Sequence, residues 1–266
     1  MPLREGAAVQ GIESAGIEHL KILGVNVHFL NARTIRPLIH EYIRKDQKRL
    51  VLNVNCHCLN LAYKRSWLRG FLNSADLVFC DGAGVLLGAR ILGERLPERI
   101  PFTDWDWGLG EESEEHGYSL FLLGARPGIA ERAAARLKAS SPHVKIAGTH
   151  HGYFDKEPGS EENQEVIRRI NAVKPNMLIV CFGMPLQEQW LMENWKDVDA
   201  NVFMVGGAAL DYLAGEVPRP PVWMRKHSLE WLGRLAIEPR RLWRRYLLGN
   251  SLFVLRVLKQ RLVSSG

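Results

Sequence analysis

The chain has no apolar run approaching the 18 residues that mark a membrane-spanning helix. Its opening residues, Met1-Pro2-Leu3-Arg4-Glu5-Gly6, lead into no apolar signal stretch. These two absences predict a protein made and kept in the cytoplasm. Cysteine is scarce: Cys56, Cys58, Cys80 and Cys181 sit in or beside apolar runs without paired metal-ligand spacing. That argues against a secreted disulfide framework and suits reduced thiols in a core. Internal repeats and low-complexity segments are missing too. So are the standard nucleotide fingerprints. There is no Gly-Lys-Ser/Thr of a Walker A loop, and Gly82-x-Gly84 is followed by Gly88 rather than by a glycine at 87. NAD and ATP therefore lose ground as ligands. What is present is ordinary for a globular protein: 266 residues, 46% hydrophobic and 24% charged. That is one large domain, or one and a half, with ample chain for a core that needs neither disulfide nor metal.

The net charge of +6 hides an asymmetry. Between Arg219 and Leu262 eleven Lys and Arg face two acids, Glu230 and Glu238, so this stretch carries +9 and the rest of the chain −3. Three of the eight tryptophans, Trp223, Trp231 and Trp243, lie in it. Arginine mixed with tryptophan suits an anionic membrane surface, where each cation near the surface adds about 1 kcal/mol. It also suits nucleic acid or a plain solvated helix face. Charge alone leaves these open.

The first twenty residues show no sustained period and read as a loose leader. Apolar runs then follow at Lys21–Val27, Leu50–Val54, Leu77–Cys80, Ser119–Leu123, Val144–Ala147, Met177–Phe182 and Val202–Val205. Stretches with helical spacing, such as Ala130–Ala139 and Glu161–Ala172, lie between most of them. This rhythm predicts an α/β fold with a parallel sheet and helices on both faces. At Pro218-Arg219-Pro220-Pro221 the pattern breaks into basic, tryptophan-bearing helical sequence. The expected division is a leader at 1–20, a sheet domain at 21–217 and a basic helical C-terminal appendage at 218–266.

Ligands of open α/β sheets sit at the carboxyl ends of strands. Four of the predicted strands end in glycine-bearing turns: Asp81-Gly82-Ala83-Gly84, Gly124-Ala125-Arg126, Gly183-Met184-Pro185-Leu186-Gln187-Glu188, and Gly206-Gly207 running on to Asp211. Glycine lets backbone N–H groups approach a phosphate, and a helix N-terminus favours its charge. Together they predict a nucleotide-diphosphate site. Asp81 is placed to act as a general base or a sugar ligand, or else to cap the helix after it. Asp104-Trp105-Asp106 spells a metal-binding D-x-D, but it opens a helical segment, where acids serve as caps. In Asn53-Val54-Asn55-Cys56-His57-Cys58, strand alternation would put both thiols on one face and the His57 imidazole on the other. His150-His151 sits in a polar-aromatic loop that suits either loop ordering or contact with a sugar.

These segments resemble the WecG/TagA/CpsF family of bacterial glycosyltransferases over about residues 21–262. The landmarks are Leu72-Asn73-Ser74-Ala75-Asp76-Leu77 running into Asp81-Gly82, Leu96-Pro97-Glu98-Arg99, and Gly148-Thr149-His150-His151-Gly152-Tyr153-Phe154. Gly183-Met184-Pro185-Leu186-Gln187-Glu188 and Leu229-Glu230-Trp231-Leu232, followed by Glu238-Pro239, complete them. The resemblance implies a Rossmann-like catalytic domain that moves a sugar from a UDP-sugar donor to a polyprenyl-diphosphate-linked acceptor in cell-surface polysaccharide synthesis. It implies inversion, with no metal and no cofactor. By position Asp81 resembles the family's catalytic base, Arg99 and Gln187 match positions that approach the sugar or diphosphate, and Arg234, Arg241 and Arg244 match arginines of the family's basic tail. That tail implies peripheral attachment to the inner face of the plasma membrane, closure over the site, and exchange between monomer and homo-oligomer. The family keeps a single Asp at the place of Asp104, which sets the D-x-D reading aside.

One departure bears on the donor. Family members that use N-acetylmannosamine often carry Asn-Ala-Glu after the second strand, whereas here Asn55 is kept, Asn53 stands where a threonine can stand, and His57 replaces the acid. A plain UDP-hexose or a UDP-uronic acid is thus as admissible a donor as UDP-N-acetylmannosamine. Two rival readings are an epimerase-like nucleotide-sugar enzyme, which needs no lipid acceptor and no basic aromatic tail, and a nucleic-acid-binding protein. The second leaves Asp81 and the strand-end glycines without a job, so no nucleic-acid partner is expected.

Overall fold

The structure, a computed structural model, describes residues 16–227 and 229–264. The leader reading for residues 1–15 lies outside these. Strands form at β1 (His19–Ile22), β2 (Val25–His28), β3 (Arg49–Val54), β4 (Leu77–Cys80), β5 (Ser119–Gly124), β6 (Lys145–His150), β7 (Met177–Cys181) and β8 (Val202–Val205). The last six make one all-parallel sheet in the order β4-β3-β8-β7-β5-β6.

Strands β4, β7 and β8 are buried at every residue, as sequence without polar alternation requires of a sheet covered on both faces. Alternate residues of each strand divide between two cores. On one face Leu52, Val54, Leu123, Val180, Phe203 and Val205 pack with Trp190 and Phe253. On the other Val51, Phe79, Leu122, Ile179 and Met204 pack with Ile35, Ala133 and Leu213. Strand β6, at the edge, is only half-buried.

The run Lys21–Val27 does not make a sheet strand. It folds as the antiparallel hairpin β1–β2 around Leu23 and Gly24, which take positive φ of 50° and 85°, the conformation that tight two-residue hairpins demand. The hairpin abuts edge strand β4, where the Val78 amide donates to His28 Nδ1 at 2.9 Å. Strand β6 also runs three residues beyond the apolar stretch, so His150 ends a strand rather than lying in a loop.

After β8 the chain crosses the carboxyl edge of the sheet in three short helices, Val222–Lys226, Glu230–Ile237 and Pro239–Trp243. A π-helical turn, Arg244–Leu248, leads into the terminal helix Gly249–Ser264. That helix is part of the core: Phe253 and Val257 are fully buried beneath it. A methyl group on Gly88 would lie 2.8 Å from the Phe253 ring, so glycine permits this close packing. Gln260 fastens the same helix to the hairpin, accepting from the Leu23 amide and donating to the Lys21 carbonyl, both at 2.8 Å.

Candidate active site

A cleft of about 1050 Å³ lies over the carboxyl ends of the sheet strands. Its floor carries Asn53, Asn55, Asp81 and Gly206, and its roof is the tail, which contributes Glu230, Trp231, Arg234, Arg241, Arg245 and Tyr246.

Asp81 is the first residue after β4, held there by its own amide on the Val54 carbonyl at 3.0 Å. Its carboxylate does not cap the helix that follows, Ala83–Ile91, whose N-cap is Gly82. Oδ1 instead accepts the Phe102 amide at 2.8 Å, at the start of the helix Phe102–His116. Burial pushes the Asp81 carboxyl above its ordinary range and the charge of Glu230 pushes the same way, against the Phe102 amide, the Asn55 side chain and Arg234. A carboxylate poised in this way is better suited to accepting a proton than an exposed one. Asp104 and Asp106 fall in the first two turns of that same helix, and their side chains lie outside the described residues.

Asn55 and His57 are not on a strand. Strand β3 ends at Val54, and Asn55 caps the helix Cys56–Lys64, its Oδ1 accepting the amides of His57 and Cys58 at 3.0 and 3.1 Å. The expected alternation of thiols and imidazole therefore does not occur; an asparagine in front of a helical stretch was the signal for it. Burial first, then the cations Arg245 and Arg65, push His57 down to about 4, so its imidazole is neutral at physiological pH. Burial drives the Cys56 thiol up to about 12, which makes it inert. Asn53 is buried on the floor and donates to the Val205 carbonyl at 2.6 Å, tying β3 to β8.

The glycine turns behave differently from expectation. Gly183 and Gly207 take positive φ of 83° and 59°, which explains glycine there. Their amides, however, both donate to Gln187 Oε1, at 3.2 and 3.1 Å, and the Gly206 amide donates to the Val180 carbonyl at 2.9 Å. Three of the donors expected to cradle a phosphate are thus used within the protein. Gln187 is fully buried beneath the turns rather than exposed to the cleft, and Gly124 sits under the β5 turn against Cys181, leaving Ala125 and Arg126 to line the wall.

Positive charge comes from the roof instead. Arg234 lies 5.4 Å from the Tyr212 ring; burial opposes its charge, but Tyr246, Tyr212, Glu230 and Asp81 together hold it cationic. Arg245 also lines the cleft, and burial lowers its pKa. Nε of both arginines has no hydrogen-bond partner among the described residues. Arg241 pairs with Glu238 at 2.5 Å beside Asp211, whose own carboxyl burial pushes up against the pull of Arg126 and Arg241. Arg99 lines the cleft but acts as a tie between floor and roof: it meets Glu230 at 3.4 Å and donates to the Arg225 carbonyl at 2.5 Å. Arg244 points outward, over the Trp243 ring at 5.2 Å. Arg245, one residue on, takes the inward place; helical spacing from Arg241 does not separate the two, since i+3 and i+4 share a face.

On the far wall Lys156 Nζ sits 4.3 and 4.7 Å from the Phe154 and Phe182 rings and donates to the Gly152 carbonyl. His150 and His151 order this loop. His150 Nδ1 lies 2.8 Å from the His151 carbonyl, and His151 accepts the Tyr153 amide at 3.2 Å.

The structure thus gathers Asp81, Gly82, Asn53, Asn55, His57, Arg99, Gly183, Gly206, Gly207, Asp211, Arg234 and Arg241 around one cleft and leaves Gly124, Gln187 and Arg244 off its surface. The family model described as Glycosyl transferase WecG/TagA/CpsF family matches residues 20–266. Two proteins of Staphylococcus aureus, from strains NCTC 8325 / PS 47 and COL, are each 29% identical over 211 residues, covering 79% of this chain and 80% of theirs. A third, from strain MW2, is 28% identical over the same span. All three are named N-acetylglucosaminyldiphosphoundecaprenol N-acetyl-beta-D-mannosaminyltransferase.

Proposed function

Because the chain belongs to the WecG/TagA/CpsF family of glycosyltransferases, we propose that it moves a sugar from a UDP-sugar to a polyprenyl-diphosphate-linked glycan in one inverting displacement. The observation that carries this reading is the placement of a half-buried Asp81, its carboxyl pushed above the ordinary range, on the floor opposite the half-buried arginines Arg234 and Arg245 on the roof. In the displacement an acceptor hydroxyl oxygen bonds to the anomeric carbon while the bond from that carbon to the diphosphate oxygen breaks. The hydroxyl proton passes to Asp81, and the bonding electrons leave on UDP. Arg234, Arg241 and Arg245 meet the charge that develops on the leaving diphosphate. His57, neutral and at the N-terminus of its helix, is placed to accept a hydrogen bond from a donor hydroxyl or acetamido N–H. The Staphylococcus aureus relatives are named for N-acetylmannosaminyl transfer; here the donor class extends to UDP-linked hexoses, N-acetylhexosamines and uronic acids.

The acceptor's lipid places the work at a membrane. No helix among the described residues is long and apolar enough to cross one. The outward side of the tail suits lying on one: Leu248, Leu252, Leu255, Leu258 and Leu262 follow helical spacing and are all exposed, Leu255 by 64% and Leu262 by 76%. Trp223 and Trp243 are exposed as well, as are Arg240, Arg244 and Lys259 of the same tail. An apolar stripe edged with cations and indoles is the pattern of an interfacial helix on anionic lipid.

Thermal-shift titration with UDP, GDP, ADP, NAD and short DNA, with and without Mg²⁺, tests the reading. UDP at 100 times its dissociation constant stabilises the fold by about 2.7 kcal/mol, and a UDP-sugar panel then identifies the donor. A response to DNA alone contradicts the reading.

A further inference from the structure

Gln187 has no solvent exposure, and both ends of its amide are hydrogen-bonded. Oε1 accepts from Gly183 after β7 and from Gly207 after β8, and Nε2 donates to Glu188 Oε1 at 2.9 Å. The two glycine turns belong to adjacent strands, and each takes a positive φ. Gln187 fills the position a phosphate oxygen would take between two converging amides, so it holds the turns at a set separation without an anion. A glutamine amide can serve in two orientations. Glu188 Oε1 selects one, because an acceptor on that side requires the NH₂ group there.

We propose that Gln187 and Glu188 form a buried clamp that sets the spacing of the β7 and β8 turns, which makes Glu188 a positioning residue for a cleft it does not touch. Glu188 is fully buried, and its Oε2 has no hydrogen-bond partner among the described residues. The groups facing it are Gln187 and the backbone on its own helix, Cys58 on the helix Cys56–Lys64, and Arg245 from the roof. Burial pushes its carboxyl up to about 7, with Gln187 and Arg245 pulling the other way. Whether Oε2 carries a proton or not, Oε1 still accepts from Gln187, so the clamp holds on both sides of neutrality.

The consequence for ligand affinity rests on the nucleotide-sugar reading; the clamp itself does not. The test is an exchange of the two residues. Gln187→Glu sets two carboxyl groups against each other, which can share one proton at low pH but repel when both ionise. UDP affinity of Q187E, measured by calorimetry from pH 6 to pH 8.5, is expected to fall as pH rises, by at least about tenfold. The double exchange Q187E/E188Q restores one acid and one amide, and is expected to bind like the wild type at every pH. If Q187E does not fold, the double exchange alone carries the test. Failure of the exchange to restore affinity, or a Q187E that binds normally at pH 8.5, overturns the proposal. Amide exchange of Gly183 and Gly207 separates the clamp from the ligand: both amides are protected in the wild type and lose protection together in Q187A. Clamp behaviour in that measurement without any UDP binding overturns the nucleotide reading and leaves the clamp standing, whereas unaltered protection in Q187A overturns the clamp.

Discussion

The floor and the roof of the cleft are built on different terms. The floor is the carboxyl edge of a sheet whose central strands are buried on both faces, where hydrogen bonds to neighbouring strands and helices fix the polar groups. Asn53 is spoken for by Val205, Asn55 by a helix N-terminus, and the β7 and β8 glycine amides by Gln187 and Val180. The roof is a run of short helices in which arginines outnumber their partners, fixed to the floor at Arg99–Glu230 and to the core by Phe253 and Val257. The comparison teaches a division of labour. Under the proposed function, the sheet edge holds the proton acceptor Asp81 in place, and the tail brings the charge that an anionic leaving group needs. Glycine turns that suggest a phosphate cradle serve here to position the edge.

Removing the proton acceptor proposed on the floor is expected to give the largest effect on activity. Asp81→Asn is expected to cut turnover by about 10²–10⁴-fold, the range for loss of a general base. In the wild type kcat/KM falls as pH drops through the Asp81 pKa, which lies above the ordinary carboxylate range, because the protonated acid cannot accept a proton. D81N loses that limb of the profile. The roof's anchorage comes next. Phe253→Ala empties a fully buried site and costs about 3–5 kcal/mol, read as a lower midpoint in chemical denaturation. Leu255→Glu and Leu262→Glu leave the fold unchanged, since both side chains are exposed, and each weakens binding to anionic liposomes by about tenfold. Co-sedimentation measures this, and unchanged binding contradicts the membrane-facing stripe. The smallest effect is Arg244→Ala: the side chain lies outside the cleft, so turnover on a soluble acceptor analogue stays within twofold of the wild type.

The sheet was readable because its strands are short, uniformly apolar and closed by glycine turns; five of the six core runs coincide with observed strands to within a residue at either end. The hairpin was not, because the two positive-φ residues Leu23 and Gly24 interrupt a stretch that reads as one apolar run. Which residues line the cleft was readable where this depends on place along a strand, as at Asp81, Gly82, Gly183 and Gly206. It was not readable where function depends on which way a group is turned. Gln187 lies in a segment that reads as ligand-facing, yet points down to join two turns twenty-four residues apart. Arg244 and Arg245 are neighbours in sequence, and only the π-helical turn that begins there decides which of them faces the cleft.

The division between floor and roof is tested most directly by titrating UDP into D81N and Arg245→Ala side by side in a calorimeter. The account predicts that D81N binds UDP as the wild type does, while R245A binds it at least about tenfold more weakly, as loss of a charge-assisted contact worth about 1.5–3 kcal/mol requires. Normal UDP affinity in R245A together with lost affinity in D81N would contradict it, placing the nucleotide on the floor and leaving the roof without its role.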